Sequence, residues 1–298
     1  MTVRMGIIGL SPGNGHPYSW TAICNGYDPE TIKDCGFPAI PHYLANQTWP
    51  DDRLLGARVT HVWTQSKNES QKIANACHVD TVVNEPEEMI GKIDALLLAR
   101  DDAHNHHHFA KPFLRAGLPI YIDKPIALRE TQFNKLLALQ CNPGQIFSCS
   151  ALRFAPEMTL NQTKKLQLGQ IRFIQGSTPK YWETYSIHLI DPVLNLLGFE
   201  SLPDRLFGGN VGKDGRLLAL RWPLGGPDVH LLANGSLPST LKLRIVGENA
   251  EITLTFKDSF TAFKLALMEF VAGVNEGYSR LPSEFNRRAV QIIEMGLK

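Results

Sequence analysis

The chain has 298 residues, 43% of them hydrophobic, which is material for two packed cores rather than one. Thirty Lys and Arg stand against 29 Asp and Glu, a formal charge of +1, so neither nucleic acid nor an acidic membrane surface is an expected partner. No apolar run is long enough to span a bilayer, and the start Met1-Thr2-Val3-Arg4-Met5 leads into a strand rather than a signal peptide. Five cysteines without Cys-x-x-Cys spacing read as reduced thiols of a cytoplasmic protein.

In chain order, apolar β-rich runs at 3–10, 59–64, 81–83, 95–99, 120–122 and 146–149 alternate with amphipathic helical patterns at 69–76, 103–116 and 129–139. That alternation predicts a doubly wound parallel α/β sheet of Rossmann type over residues 1–150, with both faces covered, since Ala95-Leu96-Leu97-Leu98-Ala99 is apolar throughout. Asp101 or Asp102 is the expected N-cap of the helix before 120, and Gly117 its terminating glycine. The stretch 27–55, rich in Pro, Gly, Asp and aromatic residues, exceeds what one crossover needs and is expected as an insertion near the mouth of the site. From 151 to 298 the rhythm changes. Strands at 171–176, 217–221, 229–233, 241–246 and 251–256, with helices at 156–168, 188–197, 261–275 and 284–297, predict an α+β domain on a mostly antiparallel open sheet.

Chemistry is expected first at Asp123-Lys124-Pro125. Pro125 biases Lys124 away from the α region, so the strand stays extended to its end and delivers the lysine to the crevice at the carboxyl edge of a parallel sheet. The turn Gly9-Leu10-Ser11-Pro12-Gly13-Asn14-Gly15 leaves the first strand for a helix, as a pyrophosphate-binding turn does, but Ser11 and Asn14 stand where Gly-x-Gly-x-x-Gly has its second and third glycines. Strand 59–64 ends in Gln65-Ser66-Lys67 without the acid that accepts a ribose diol, so Ser66 and Lys67 leave NADP as open as NAD. The tract His104 to His108 has no acidic or cysteine partner at ligand spacing, and no metal is expected there. Tyr181-Trp182-Glu183-Thr184 precede His188 and Asp191; three apart on a helix, the carboxylate can orient the imidazole, and the two aromatic residues suit a sugar face.

Together these segments resemble the Gfo/Idh/MocA family, named for glucose-fructose oxidoreductase and inositol dehydrogenase. Asp123-Lys124-Pro125 is similar to its Glu-Lys-Pro, Arg153-Phe154-Ala155-Pro156 to its Arg-Phe-x-Pro, His188-x-x-Asp191 to its His-x-x-Asp, and His106 to the histidine that follows its Thr-Pro, here replaced by Asp101-Asp102. The resemblance implies NAD or NADP held by Gly9, Ser11, Gly13, Asn14, Gly15, Gln65, Ser66, Lys67, Arg100, Asp101, His106, Asp123 and Lys124. It further implies Lys124, His188 and Asp191 as catalytic groups, with Lys124, Arg153, Tyr181, Trp182, Thr184 and His188 around a sugar, polyol or nucleotide-sugar whose secondary alcohol or ketone exchanges hydride. Homodimers or homotetramers through the second sheet belong to the same expectation. Thr184 stands where many members carry an aspartate, and the altered glycine turn supports a second reading, a non-catalytic sensor of sugars or nucleotides, or an NAD-assisted enzyme without net redox change.

Overall fold

The computed structural model describes residues 2–298, which pack as two compact units. The first comprises residues 2–126, Asn134–Ser148 and Ser259–Pro282, and the second Ala127–Phe133, Cys149–Asp258 and Ser283–Lys298. This departs from a single cut at residue 150, because a helix late in the chain packs with the first unit.

In the first unit β1 (Val3–Ile8), α1 (His16–Asn25), α2 (Ala39–Ala45), β2 (Ala57–Trp63), α3 (Lys67–Ala76), β3 (Thr81–Val82), β4 (Ala95–Leu98), α4 (His106–Arg115), β5 (Ile120–Ile122) and β6 (Ile146–Phe147) follow in order, and α5 (Glu130–Leu137), which precedes β6 in the chain, is divided between the two units. The six strands are parallel in the order β3-β2-β1-β4-β5-β6. Because the winding reverses between β1 and β4, their carboxyl ends diverge into a crevice, the place where such sheets take ligands. Every residue of β4 and β5 is buried, as their unbroken apolar sequence requires.

Helix α4 starts at His106 with Asn105 at its cap, and neither expected aspartate caps it: Asp102 instead receives the Arg100 guanidinium and the Asn105 amide. Gly117 ends that helix as expected, at φ 82°. Residues 27–55 form a wall rather than an open loop. A 3-10 turn (Thr31–Cys35) and α2 bury Ile32, Cys35, Ile40 and Leu44, the Leu54 amide donates to Ile23, and Trp49 sits edge-on to Tyr27 and Phe260. Phe260 lies on α9 (Ser259–Glu276), the returning helix, whose Phe270 contacts Tyr121 of β5 and Phe147 of β6.

The second unit holds α6 (Gln162–Leu168), β7 (Ile171–Thr178), α7 (Trp182–Tyr185), α8 (Ile187–Leu197), β8 (Asp204–Val211), β9 (Gly215–Arg221), β10 (Asp228–Ala233), β11 (Lys242–Gly247), β12 (Glu251–Thr255) and α10 (Ser283–Leu297). Its sheet runs β12-β11-β7-β10-β9-β8, antiparallel except for the β7–β10 pair. In β10 the pattern is the period-2 alternation of a sheet covered on one face: Val229, Leu231 and Ala233 are buried, while Asp228, His230 and Leu232 are half-exposed. Among the described residues no helix is long and apolar enough to cross a membrane.

Candidate functional site

In the first unit the turn after β1, the residues after β4 and those after β5 meet at the carboxyl ends of the strands. Asp123 and Lys124 leave β5; both are buried, at 1% and 6% exposure. The Asp123 carboxylate accepts from the Asn14 amide (2.7 Å), from His16 Nδ1 (2.6 Å) and from the Lys124 backbone N–H (2.7 Å). Burial opposes its charge, but His16, Lys124 and these hydrogen bonds more than offset that and hold the carboxyl well below the ordinary carboxylate range. The Lys124 ammonium lies 3.6 Å from Asp101, whose other oxygen accepts from Ser11 at 2.6 Å. Cation and anion thus balance in a space that water barely reaches.

The glycine turn is wired to its neighbours by side chains. Gln65, leaving β2, accepts from the Leu10 N–H (3.0 Å) and donates to the Leu10 carbonyl (2.7 Å), while Arg100 donates to that same carbonyl and to Gln65. Gln65, Arg100 and Ser11 therefore brace the turn. Asn14 fills the third glycine position of the fingerprint and ties the turn to Asp123, and its side-chain oxygen takes the His16 N–H. Pro17 has no N–H, so the first turn of α1 has no amide left for an anion. Gly13 differs: its φ is 79°, a Cβ built there would meet nothing within 4 Å, and the N–H groups of Gly13 and Gly15 have no acceptor among the described residues. This short open backbone is an anion-binding concavity of the kind successive amides make.

Several of the residues expected at the cofactor have structural duties as well. Gly15 is glycine because a Cβ would press within 2.6 Å of Ile40 and 2.7 Å of Phe37, from the wall at 27–55, and Gly9 because one would collide with Pro17. The Ser66 hydroxyl caps α3 by accepting from the Glu69 N–H, and Lys67 donates to Asn84, so neither is idle at the end of β2. His106 is completely buried, with its two ring nitrogens 2.6 Å from the Arg100 carbonyl and 2.9 Å from that of Ile126, which pins the loops after β4 and β5 together and leaves no face for a ligand. A separate cavity of about 450 Å³ lies at the opposite, amino end of the sheet; Leu118, Phe147, Phe270 and Val274 give it apolar walls, and the charged groups gathered at the carboxyl ends are absent from its lining.

In the second unit α8 carries His188 and Asp191 on one buried face. Ser150 stands between them: its N–H donates to Asp191 Oδ2 (2.7 Å) and its hydroxyl bonds His188 Nδ1 (2.8 Å). The carboxylate thus acts on the segment that holds the imidazole. Burial pushes the Asp191 carboxyl up to about 6; Arg153, 3.4 Å away, and the Ser150 N–H pull the other way without matching it. The Arg153 guanidinium lies over the Phe285 ring at 4.1 Å and donates to Asn195. Trp182 is not a sugar platform: it is 1% exposed, donates its indole N–H to Ile293 and packs against Gly296. Tyr181 is 50% exposed and Thr184 half-buried. The sequence reading missed Tyr185, whose hydroxyl accepts from Lys180 (2.7 Å) and whose ring stands edge-on to His188. It also missed His16 and Ser150, whose only signal is adjacency to residues already singled out.

Fold and crevice together define a Rossmann-type unit paired with an α+β unit. Residues 35–150 match the model of Gfo/Idh/MocA, described as an oxidoreductase family with an NAD-binding Rossmann fold, which is the family the motifs resemble. A search of curated proteins found no match. Among solved structures the fold is similar to myo-inositol 2-dehydrogenase from Lactobacillus plantarum (TM-score 0.72, 15% identity, covering 100% of this chain and 96% of that one). It is similar also to an oxidoreductase from Thermotoga maritima (TM-score 0.74, 14% identity, 100% and 96% covered). A third is myo-inositol dehydrogenase from Lactobacillus casei, solved with NAD(H) and myo-inositol (TM-score 0.71, 15% identity, 99% and 93% covered).

Proposed function

We propose that the protein is an NAD(P)-dependent oxidoreductase that interconverts a secondary alcohol and a ketone on a sugar or polyol. The observation that carries this reading is a buried lysine, Lys124, at the carboxyl end of β5, in the same crevice as the open Gly13 backbone. The residues present suit a pyridine dinucleotide: the free amides of Gly13 and Gly15 would hold phosphate, and the Lys124 and Asp101 side would face the nicotinamide half. Bound there, the nicotinamide supplies the hydride acceptor or donor. The ammonium of Lys124, desolvated and balanced by Asp101, stabilises negative charge on the carbinol oxygen as its proton leaves. His188, held by Ser150, and Asp191, with Arg153 beside it, are the polar groups to which the motif points in the second unit. Gln65 at the end of β2 neither repels nor pairs with a 2′-phosphate, so NAD and NADP are both admitted.

A cytoplasmic setting, where thiols stay reduced, suits Cys24, Cys35 and Cys77, each a buried thiol of the first unit. The open face of the second sheet, with Phe207 at 49% exposure in ring contact with His230, supports self-association as a dimer or tetramer.

The test is thermal unfolding with saturating NADH, with NADPH and with neither, followed by a turnover panel of polyols that includes myo-inositol. Stabilisation grows with ligand concentration over its dissociation constant, so the reading expects a rise of several degrees with at least one cofactor, and turnover that falls about a hundredfold or more in Lys124→Ala. No rise with either cofactor overturns it. A rise without reduction or oxidation on any polyol favours the non-redox alternative, which the altered glycine turn keeps in view.

A further inference from the structure

Within the first unit a second group able to move a proton is held by Asp123, the residue before Lys124. His16 opens α1, and its Nδ1 is 2.6 Å from Asp123 Oδ2. Both Asp123 oxygens already accept, Oδ2 from the Asn14 amide and Oδ1 from the Lys124 N–H, so a neutral imidazole meeting Oδ2 carries its proton on Nδ1 and keeps the lone pair on Nε2. The ring cannot turn away: it stacks on Trp20 (centroids 5.0 Å apart, planes at 14°) and meets Phe263 edge-on at 4.9 Å. Nε2 has no hydrogen-bond partner among the described residues, and the side chain retains 16% exposure. His106 is the contrast in the same unit, sealed from solvent with both nitrogens against carbonyls. A histidine that served packing alone has no need of a buried carboxylate on one nitrogen and an open lone pair on the other; a base does.

We propose that His16, oriented by Asp123, is a further catalytic residue of the crevice, whose Nε2 takes the proton lost when a secondary alcohol is oxidised. The proposal rests on the NAD(P) reading above. In balance, the carbinol O–H bond breaks and its proton goes to Nε2; the C–H bond breaks and its hydride goes to the oxidised pyridine dinucleotide; the carbonyl forms, and the imidazolium, paired with Asp123, later releases its proton to water. The charged and titratable groups around it are Asp123 and Lys124 from the β5 end and Asp101 beyond Lys124, whereas α1 and α9 present the uncharged Trp20 and Phe263 to the ring.

Two readouts test the proposal. Histidine-selective NMR on the cofactor-free protein should show His16 as the Nδ1–H tautomer, and Asp123→Asn should remove that preference; an Nε2–H tautomer in the wild type overturns the proposal without reference to any substrate. Calorimetric titration of NADH, together with polyol turnover across pH, is then run on His16→Gln and His16→Ala, with circular dichroism confirming the fold of each. The expected result is NADH affinity within about threefold of wild type and kcat/KM lowered about a hundredfold or more. The acid limb of the pH profile should flatten, and free imidazole should restore turnover in His16→Ala. Unchanged kcat/KM in both variants overturns the proposal while leaving the function reading intact. If the wild type itself binds no NADH or NADPH, the function reading falls, and this proposal with it.

Discussion

Two carboxylates, one in each unit and each sealed from water, behave in opposite ways. Asp123 receives hydrogen bonds from Asn14, His16 and the Lys124 N–H, and its carboxyl is held far down; Asp191 receives one, from the Ser150 N–H, with Arg153 at 3.4 Å and Oδ1 lacking a hydrogen bond, and its carboxyl is pushed up to about 6. Burial is the same for both. What differs is the company each keeps: His16 and Lys124 beside Asp123 against Arg153 alone beside Asp191, and then three hydrogen bonds against one, which together decide whether a buried acid is a fixed charge or a group near its titration point. The first unit therefore offers a permanent anion that fixes His16 and Lys124, and the second an acid that changes state in mildly acidic solution.

Removing the fixed charge is the largest expected break. Asp123→Ala strips His16 and Asn14 of a shared acceptor and the Lys124 N–H of its own, leaving buried donors unpaired, and urea unfolding should show a loss of about 3–5 kcal/mol. A loss under 1 kcal/mol would show that the carboxylate is not the hub of the crevice.

The pH dependence sharpens the contrast. Asp191 has a folded value near 6, above its ordinary value, so the native state holds a proton that the unfolded chain has released; its contribution is complete below about pH 4 and is lost as pH rises through 6, worth about 3 kcal/mol at most. Asp123 works in the other direction, its contribution lost only as pH falls below the ordinary carboxylate range. The difference in unfolding free energy between wild type and Asp191→Asn should therefore slope between pH 4 and 6, and a flat difference would contradict the assignment. Gln65→Ala comes next: it deletes the two bonds that brace Leu10 and one partner of Arg100, and should cost about 1–2 kcal/mol. Smallest is Ser150→Ala, which keeps the N–H to Asp191 but removes the hydroxyl from His188, and should cost about 1 kcal/mol on the same unfolding assay.

What the residues disclosed follows the same physics. Lys124 was legible because Pro125 restricts the residue before it, and β4 because an unbroken apolar run has few other homes in an α/β chain. Strand β8 was not: Asp204–Val211 contains Gly208 and Gly209 and is half-buried at best, so it shows neither alternation nor an apolar run. The periodicity of α9 announced a helix but could not say which core would receive Phe260 and Phe270. At the site, residue type misled where side chains serve their neighbours. Gln65 and Asn14 read as altered ligand positions and prove to be braces, and Trp182 read as a sugar face and proves to be core, because such partners come from segments distant in sequence. His16 was passed over since nothing local tells a histidine that a carboxylate 107 residues away will hold it.

The central claim is that a pyridine dinucleotide lodges against the open backbone at Gly13. Calorimetric titration of NADH and NADPH into wild type and Gly13→Val tests it directly, since valine fills the open space in a backbone conformation that only glycine adopts freely. One saturable site in the wild type, weakened at least tenfold in the variant while far-ultraviolet circular dichroism is unchanged, is the result expected. Absence of binding in the wild type, or equal binding by both proteins, would contradict it.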